Sequence, residues 1–242
     1  MCIRDSIRGL TDQNVIVDEI IGTFQDLKTI SDFTDVNLSN ANITITNSIN
    51  LTNAQLIDSF NDLGGTVILN SVEDSFLNIV ALENTDSISI SSSEILVTDS
   101  IGLEESVTLN PFTNNKITLT EITDTLENIE ELESLKPEVG EVNGIDISTA
   151  EIVVENNINS AKINEISNFT NGEITISFLT DIDSNISSSH KISNIDLNEA
   201  VIDITNKVNF NVVNEISSFT ENQVFINDIE DSFTKISDIN AI

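Results

Sequence analysis

VILNSVEDSFLNI, residues 67–79, decides the fold, because it returns as ITLTEITDTLENI at 117–129, ITISFLTDIDSNI at 174–186 and VFINDIEDSFTKI at 224–236. A looser copy, VIVDEIIGTFQDL, starts at Val15, so copies begin at 15, 67, 117, 174 and 224, at intervals of 52, 50, 57 and 50. Each full copy has apolar residues at its first, third and sixth places, Asp at the eighth and an apolar residue at the thirteenth. Self-similarity at a fixed period is the signature of a repeat architecture, in which each unit buries its apolar face only against its neighbours.

Within one copy the alternation of ITLTE places Ile117 and Leu119 on one face of a short strand. Asp124 then reads as a helix N-cap, with Glu127 three places on completing a capping-box-like pair and Leu126, Ile129 and Leu132 at helical spacing. Asp74, Asp181 and Asp231 stand in the same column.

A second pattern interleaves with the first: VNLSNANITI from Val36, ISISSSEILV from Ile88, IDISTAEIVV from Ile145 and IDLNEAVIDI from Ile195. Ile145 and Ile147 face inward, and so do Ile152 and Val154, although the five-residue step between the pairs should invert the face. A corner at small Ala150 is therefore expected. A hairpin would want Asn-Gly or Gly there, so the two halves should turn without pairing. NSAKINEISNF supplies a second short helix through Ile163, Ile166 and Phe169. Phe60, Phe112, Phe169 and Phe219 recur in phase, and we expect them to form a stacked interior column.

One unit is thus strand, helix, strand, corner, strand, helix, and the expected fold class is an α/β repeat solenoid of short parallel strands with short flanking helices. The alternative is an all-β solenoid in which the presumed helices are loops. Strands repeat at about 4.8 Å and helices pack at about 8 to 10 Å, so the coils must fan or the helices be staggered. The long interval of 57 comes from extra residues in ESLKPEVGEVNG, where Pro137, Gly140 and Gly144 mark a surface loop.

The expected organisation is a leader at 1–14 and a single repeat solenoid at 15–242. The leader holds the chain's only Met and Cys and both of its Arg (Met1, Cys2, Arg4, Arg8). Residues 1–6 back-translate to a run that resembles the transposase end sequence of sequencing-library adapters, and we set them aside. The true N-terminus is then expected to be missing, and Ile242 to fall in mid-pattern.

The formal charge of −32 repels phosphate backbones and anionic leaflets, so neither nucleic acid nor the membrane surface is an expected partner. No apolar run approaches the roughly 18 residues of a membrane span. At 39% hydrophobic residues the chain is too apolar for disorder. Beyond Cys2 there is no Cys, and His190 is the only His, so the common nucleophile and base pairs cannot be assembled. We read His190, in SSSHKIS, as a solvated residue. Asp181, Asp183 and Asn185 begin like a calcium loop, but Ile186 and Ile192 stand where that loop needs Gly and Glu. The expectation is no enzyme, no catalytic, cofactor or metal residue, and no cofactor, with calcium as the remaining candidate ion.

The long period, with D[ST]xxN after a short strand (Asp74-Ser75 with Asn78; Asp124-Thr125 with Asn128), resembles the tandem arrays of giant secreted surface proteins of bacteria, adhesin-like and hemolysin-type polypeptides among them. The resemblance implies an extracellular or cell-surface, non-catalytic, structural or adhesive segment of a larger protein. Its partners would be flanking repeats of the parent chain, with self-association possible through uncapped ends at Ile236, Ile239 and Ile242. The alternative function is a calcium-stabilised extracellular binding module.

Overall fold

The structure, a computed structural model, describes residues 15–61, 63–137 and 142–231. The expected leader, Gly140 and the apolar residues at 236, 239 and 242 lie outside the described residues. The chain forms two compact units, one built from Met1–Thr98, Thr108–Ile117 and Gly140–Gly144, the other from Asp99–Val107, Thr118–Val139 and Ile145–Ile242.

In the first unit Val15–Ile16 (β1), Glu19–Gly22 (β2) and helix α1 (Phe24–Ser31) lead into Val36–Asn37 (β3), Asn42–Ile49 (β4) and α2 (Leu51–Asp58). Val67–Asp74 (β5), α3 (Phe76–Glu83), Ile88–Ser89 (β6) and Glu94–Ile101 (β7) follow, with β7 running on into the residues of the second unit. Next come α4 (Leu103–Leu109), a 3-10 turn at Asn110–Phe112, Lys116–Asp124 (β8) and α5 (Leu126–Ser134). The second unit continues through Gly144–Asp146 (β9), Glu151–Ile158 (β10), α6 (Ser160–Ile166), Ile174–Asp181 (β11) and α7 (Asp183–Ser189). Ile195–Asp196 (β12), Val201–Val208 (β13), α8 (Phe210–Ile216) and Val224–Ile229 (β14) complete the described residues. In each unit the strands run parallel, in the order β2-β4-β5-β7 in the first and β8-β10-β11-β13-β14 in the second. The fold is α/β, and the segments that the all-β alternative treated as loops are helices.

Strand register corrects the repeat: each sequence unit holds two coils, because Val67 pairs with Ile43 of the coil before it and with Ile88 of the coil after it. The two coils differ. In a straight coil one strand runs uninterrupted into its helix, as β5 and β11 do. In a cornered coil a short strand, a turn and a long strand precede the helix. The short and long strands do not pair with each other but lie end to end along the same straight strand: β6 and β7 both pair with β5, and β12 and β13 both with β11.

The corner is built as its sequence suggests. The N–H of Ala41, Ser93, Ala150 and Ala200 donates three residues back, to Leu38, Ile90, Ile147 and Leu197, and all four corner residues are fully buried. Ile145, Ile147, Ile152 and Val154 are all buried, so the turn restores the inward face. The corner carbonyl is closed from the following turn of chain: Asn61 Nδ2 donates to Ala41 O, and the hydroxyls of Thr113, Thr170 and Thr220 donate to Ser93, Ala150 and Ala200 O at 2.6, 2.6 and 2.7 Å. Space there is tight. A Cβ on Gly172 would stand 2.2 Å from the Ala150 oxygen.

Helix stagger resolves the spacing mismatch. Ile49 pairs with Val72, yet α2 starts two residues after Ile49 and α3 four after Val72. Ile158 and Leu179 set the same offset between α6 and α7. Two residues are about 6.6 Å along a strand, which lengthens a step of about 4.8 Å to a diagonal of about 8 Å, enough for helices to pack. Ile79, Leu82, Ile129, Leu132, Ile163, Ile166, Val213 and Ile216 are among the buried residues of the flanking helices.

Candidate functional site

The first N–H groups of a helix have no partner within it. Here the first helical N–H of α1, α2, α4, α5, α6, α7 and α8 is taken by a side chain of the following coil. In cornered coils the acceptor is the recurrent Asp: Leu51, Leu103, Ser160 and Phe210 N donate to Oδ2 of Asp74, Asp124, Asp181 and Asp231 at 2.8, 2.9, 2.9 and 3.1 Å. In straight coils it is an Asn: Phe24, Leu126 and Asp183 N donate to Oδ1 of Asn47, Asn156 and Asn206 at 2.8, 2.8 and 2.9 Å. These partners lie 21 to 30 residues further along the chain.

The Asp column is therefore not the N-cap that local spacing suggests. Asp74, Asp124 and Asp181 end their strands, and the N-caps that follow, Ser75, Thr125 and Ile182, make no side-chain cap bond. The other carboxylate oxygen works locally: Oδ1 of Asp74, Asp124 and Asp181 accepts from the next N–H and from Nδ2 of Asn78, Asn128 and Asn185. That is the physical content of D[ST]xxN: one carboxylate fastens the start of its own helix and that of the helix before it. Glu127, expected to close a capping box, instead accepts from Asn156 Nδ2 at 2.8 Å. Burial pushes the Asp181 pKa up, but hydrogen bonds from Ile182 N–H, Asn185 and Ser160 outweigh it and hold the carboxyl below its ordinary value.

The cornered helices carry a second cap, which the sequence reading missed. Asn50, Asn159 and Asn209 occupy the N-caps of α2, α6 and α8 and accept from Asn53, Lys162 and Val212 N. An Asn just before each of these helices was the available signal. Gly102 fills that place ahead of α4, where a Cβ would stand 2.6 Å from Asp124 Oδ2.

Two further readings change. Phe60, Phe112, Phe169 and Phe219 lie beyond their helices, with α6 ending at Ile166, and they are half-buried rather than interior. The ring of Phe219 stacks on His190, 4.0 Å between centroids and 10° from parallel. His190 is exposed, as expected, but it is a packing partner rather than a solitary side chain. A charge pair also joins coils: Lys162 donates to Glu130 of the coil before at 2.6 Å and, within its own helix, to Glu165 at 2.9 Å, and these bonds, that to Glu130 first, hold its pKa above the ordinary value.

The chain matches no protein-family model, no curated protein and no solved structure. What the geometry offers chemically is connection. Asp181, the first acid of the calcium-like stretch, is engaged by Ser160, Ile182 and Asn185, and Asp183 accepts from Asn206 Nδ2 at 3.0 Å. Among the described residues no three His, Cys, Asp or Glu are grouped to hold a metal ion, and no helix is long and apolar enough to cross a membrane.

Proposed function

We propose that the chain is a non-catalytic structural spacer or adhesive segment of a larger secreted or cell-surface bacterial protein, with flanking repeats of its parent as partners. The observation that supports this most is the bond that seven helix starts make to the following coil. Connections of one kind, repeated along the chain, suit a body whose task is to hold length and shape. The outward strand residues Thr46, Asn70, Thr120, Glu155 and Thr205 are exposed, and with a charge of −32 they give the segment a hydrated, acidic surface.

Pulling the full chain between its ends tests the reading. A spacer should lengthen in several steps of about one coil, or about 80 Å of extended chain each. A single event at low force would sink it. Thermal melts in calcium, in magnesium and in chelator should superimpose, and a rise specific to calcium would favour a metal-stabilised module instead.

A further inference from the structure

Straight and cornered coils alternate, and the two kinds of junction are not interchangeable. When a cornered coil follows a straight one, its short strand takes the first part of the straight strand and its long strand takes the rest: Ile174 pairs with Ile195, and Phe178 to Asp181 with Val201 to Ile204. When a straight coil follows a cornered one, its strand lies along the long strand alone, as Ile43 with Val67 and Ile49 with Val72.

The last described strand, β14, belongs to a straight coil, because Ile202, Ile204 and Val208 pair with Val224, Ile226 and Ile229 in the second manner. Its inward residues Val224, Ile226 and Ile229 are half-buried, whereas Ile174, Ile176 and Leu179 at the same places are fully buried. The first described coil is straight as well. Val15 pairs with Val36, and Glu19 to Gly22 pair with Asn42 to Ile45, in the first manner.

We propose that the side of β14 facing away from β13 is a docking face for one further coil of the cornered type, and that it does not accept a straight coil. Continuity with the junctions already formed fixes the occupant. A cornered coil supplies a short strand for Val224 and Phe225 and a long strand for the residues after them. The first coil among the described residues, β1 and β2, is straight, so stacking that coil of a second copy on β14 would set straight on straight, a junction formed nowhere among the described residues. This refines the self-association expected from sequence: the face selects a partner by coil type. The inference takes its biological meaning from the spacer reading, yet its test does not depend on that reading.

The test extends the full chain after Ile242 by Gly-Ser and a copy of residues 195–222. The copied Ile195 then follows Val224 at the same separation as Ile195 follows Ile174. Val67 and Ile174 N donate to Ser87 and Asn194 O of the following turn of chain, so the amide of Val224 is the reporter. The copy should slow hydrogen exchange at Val224 by about tenfold or more relative to the unextended chain, since pairing moves an edge amide toward global protection. A copy of residues 174–194 at the same place should leave it unchanged. So should the 195–222 copy carrying Ile202→Asp and Ile204→Asp, which keeps the length but cannot bury its strand. Equal protection by all three extensions, or none by the cornered copy, would overturn the proposal. Either result would leave the spacer reading standing, because that reading is judged by stepwise lengthening of the chain as it is.

Discussion

The helices of cornered coils and those of straight coils look alike in length, yet they begin differently. Helix α6 is capped twice, by its own Asn159 and by Asp181 of the following coil. Helix α7 has Ile182 at its N-cap with no side-chain bond, and the cap it does have comes from Asn206, 23 residues on. Helix α5 likewise relies on Asn156, whereas α1 keeps a capping box of its own between Thr23 and Asp26. The difference shows that α2, α6 and α8 hold their own starts as well as borrowing a cap, whereas α5 and α7 only borrow.

The largest expected effect comes from the residue that serves both kinds. Asp124→Ala removes the acceptor for Leu103 N, Thr125 N and Asn128 Nδ2 together, and it should cost about 2 to 3 kcal/mol in chemical denaturation, as bonds to charged groups do. A loss under about 0.5 kcal/mol, the range of an ordinary surface substitution, would show that the junction does not depend on this column. The comparison itself is tested by Asn206→Ala against Asn209→Ala. The first strips α7 of its side-chain cap and should cost about 1 to 2 kcal/mol. The second leaves α8 bonded to Asp231 and should cost about half as much. Equal losses would erase the distinction between borrowed and owned caps.

Phe169→Ala should cost about 1 to 2 kcal/mol rather than the value for a fully buried ring, because the side chain is half-buried. Acid gives a further test. A carboxyl held below its ordinary value contributes stability that is complete above that value, 3.8, and is lost as pH falls through the folded pKa. The stability gap between the parent and Asp181→Asn should therefore narrow as pH drops below about 3.8, and a gap constant down to about pH 2 would contradict it.

The smallest effects lie side by side. His190→Ala should cost about 0.5 to 1 kcal/mol through the lost stack on Phe219. Ser189 is fully buried, its hydroxyl has no partner, and it fills the place of Leu82 and Leu132. Ser189→Ala should be neutral or stabilising by about 1 kcal/mol, and a clear loss would mean that the hydroxyl is bonded.

What the sequence showed and what it hid separate along one physical line. Alternation and helical spacing are local, so Ile117 and Leu119, the corner at Ala150 and the apolar face Leu126, Ile129, Leu132 were all readable. The role of Asp124 was not, since its partner Leu103 lies 21 residues earlier while a capping box three residues away looked sufficient. The coil of half the apparent period stayed hidden because straight and cornered coils spell the same stacking step with different formulas, and register exists only once strands pair. Phe169 was assigned to a helix because its spacing from Ile166 is helical, although the chain leaves the helix at Ile166.

Every borrowed cap comes from later in the chain, and that direction makes the two ends of any cut unequal. A piece that keeps the beginning and stops after a helix always strands that helix, whose first N–H has lost its acceptor. A piece that starts at a strand and keeps the end retains the acceptors of the helix starts that remain, and what it gives up are backbone acceptors in the coil before, as Asn42 N gives up Asp18 O. Where helix starts are concerned the two ends are therefore unequal, and trimming from the front should leave the last helix start capped where trimming from the back does not.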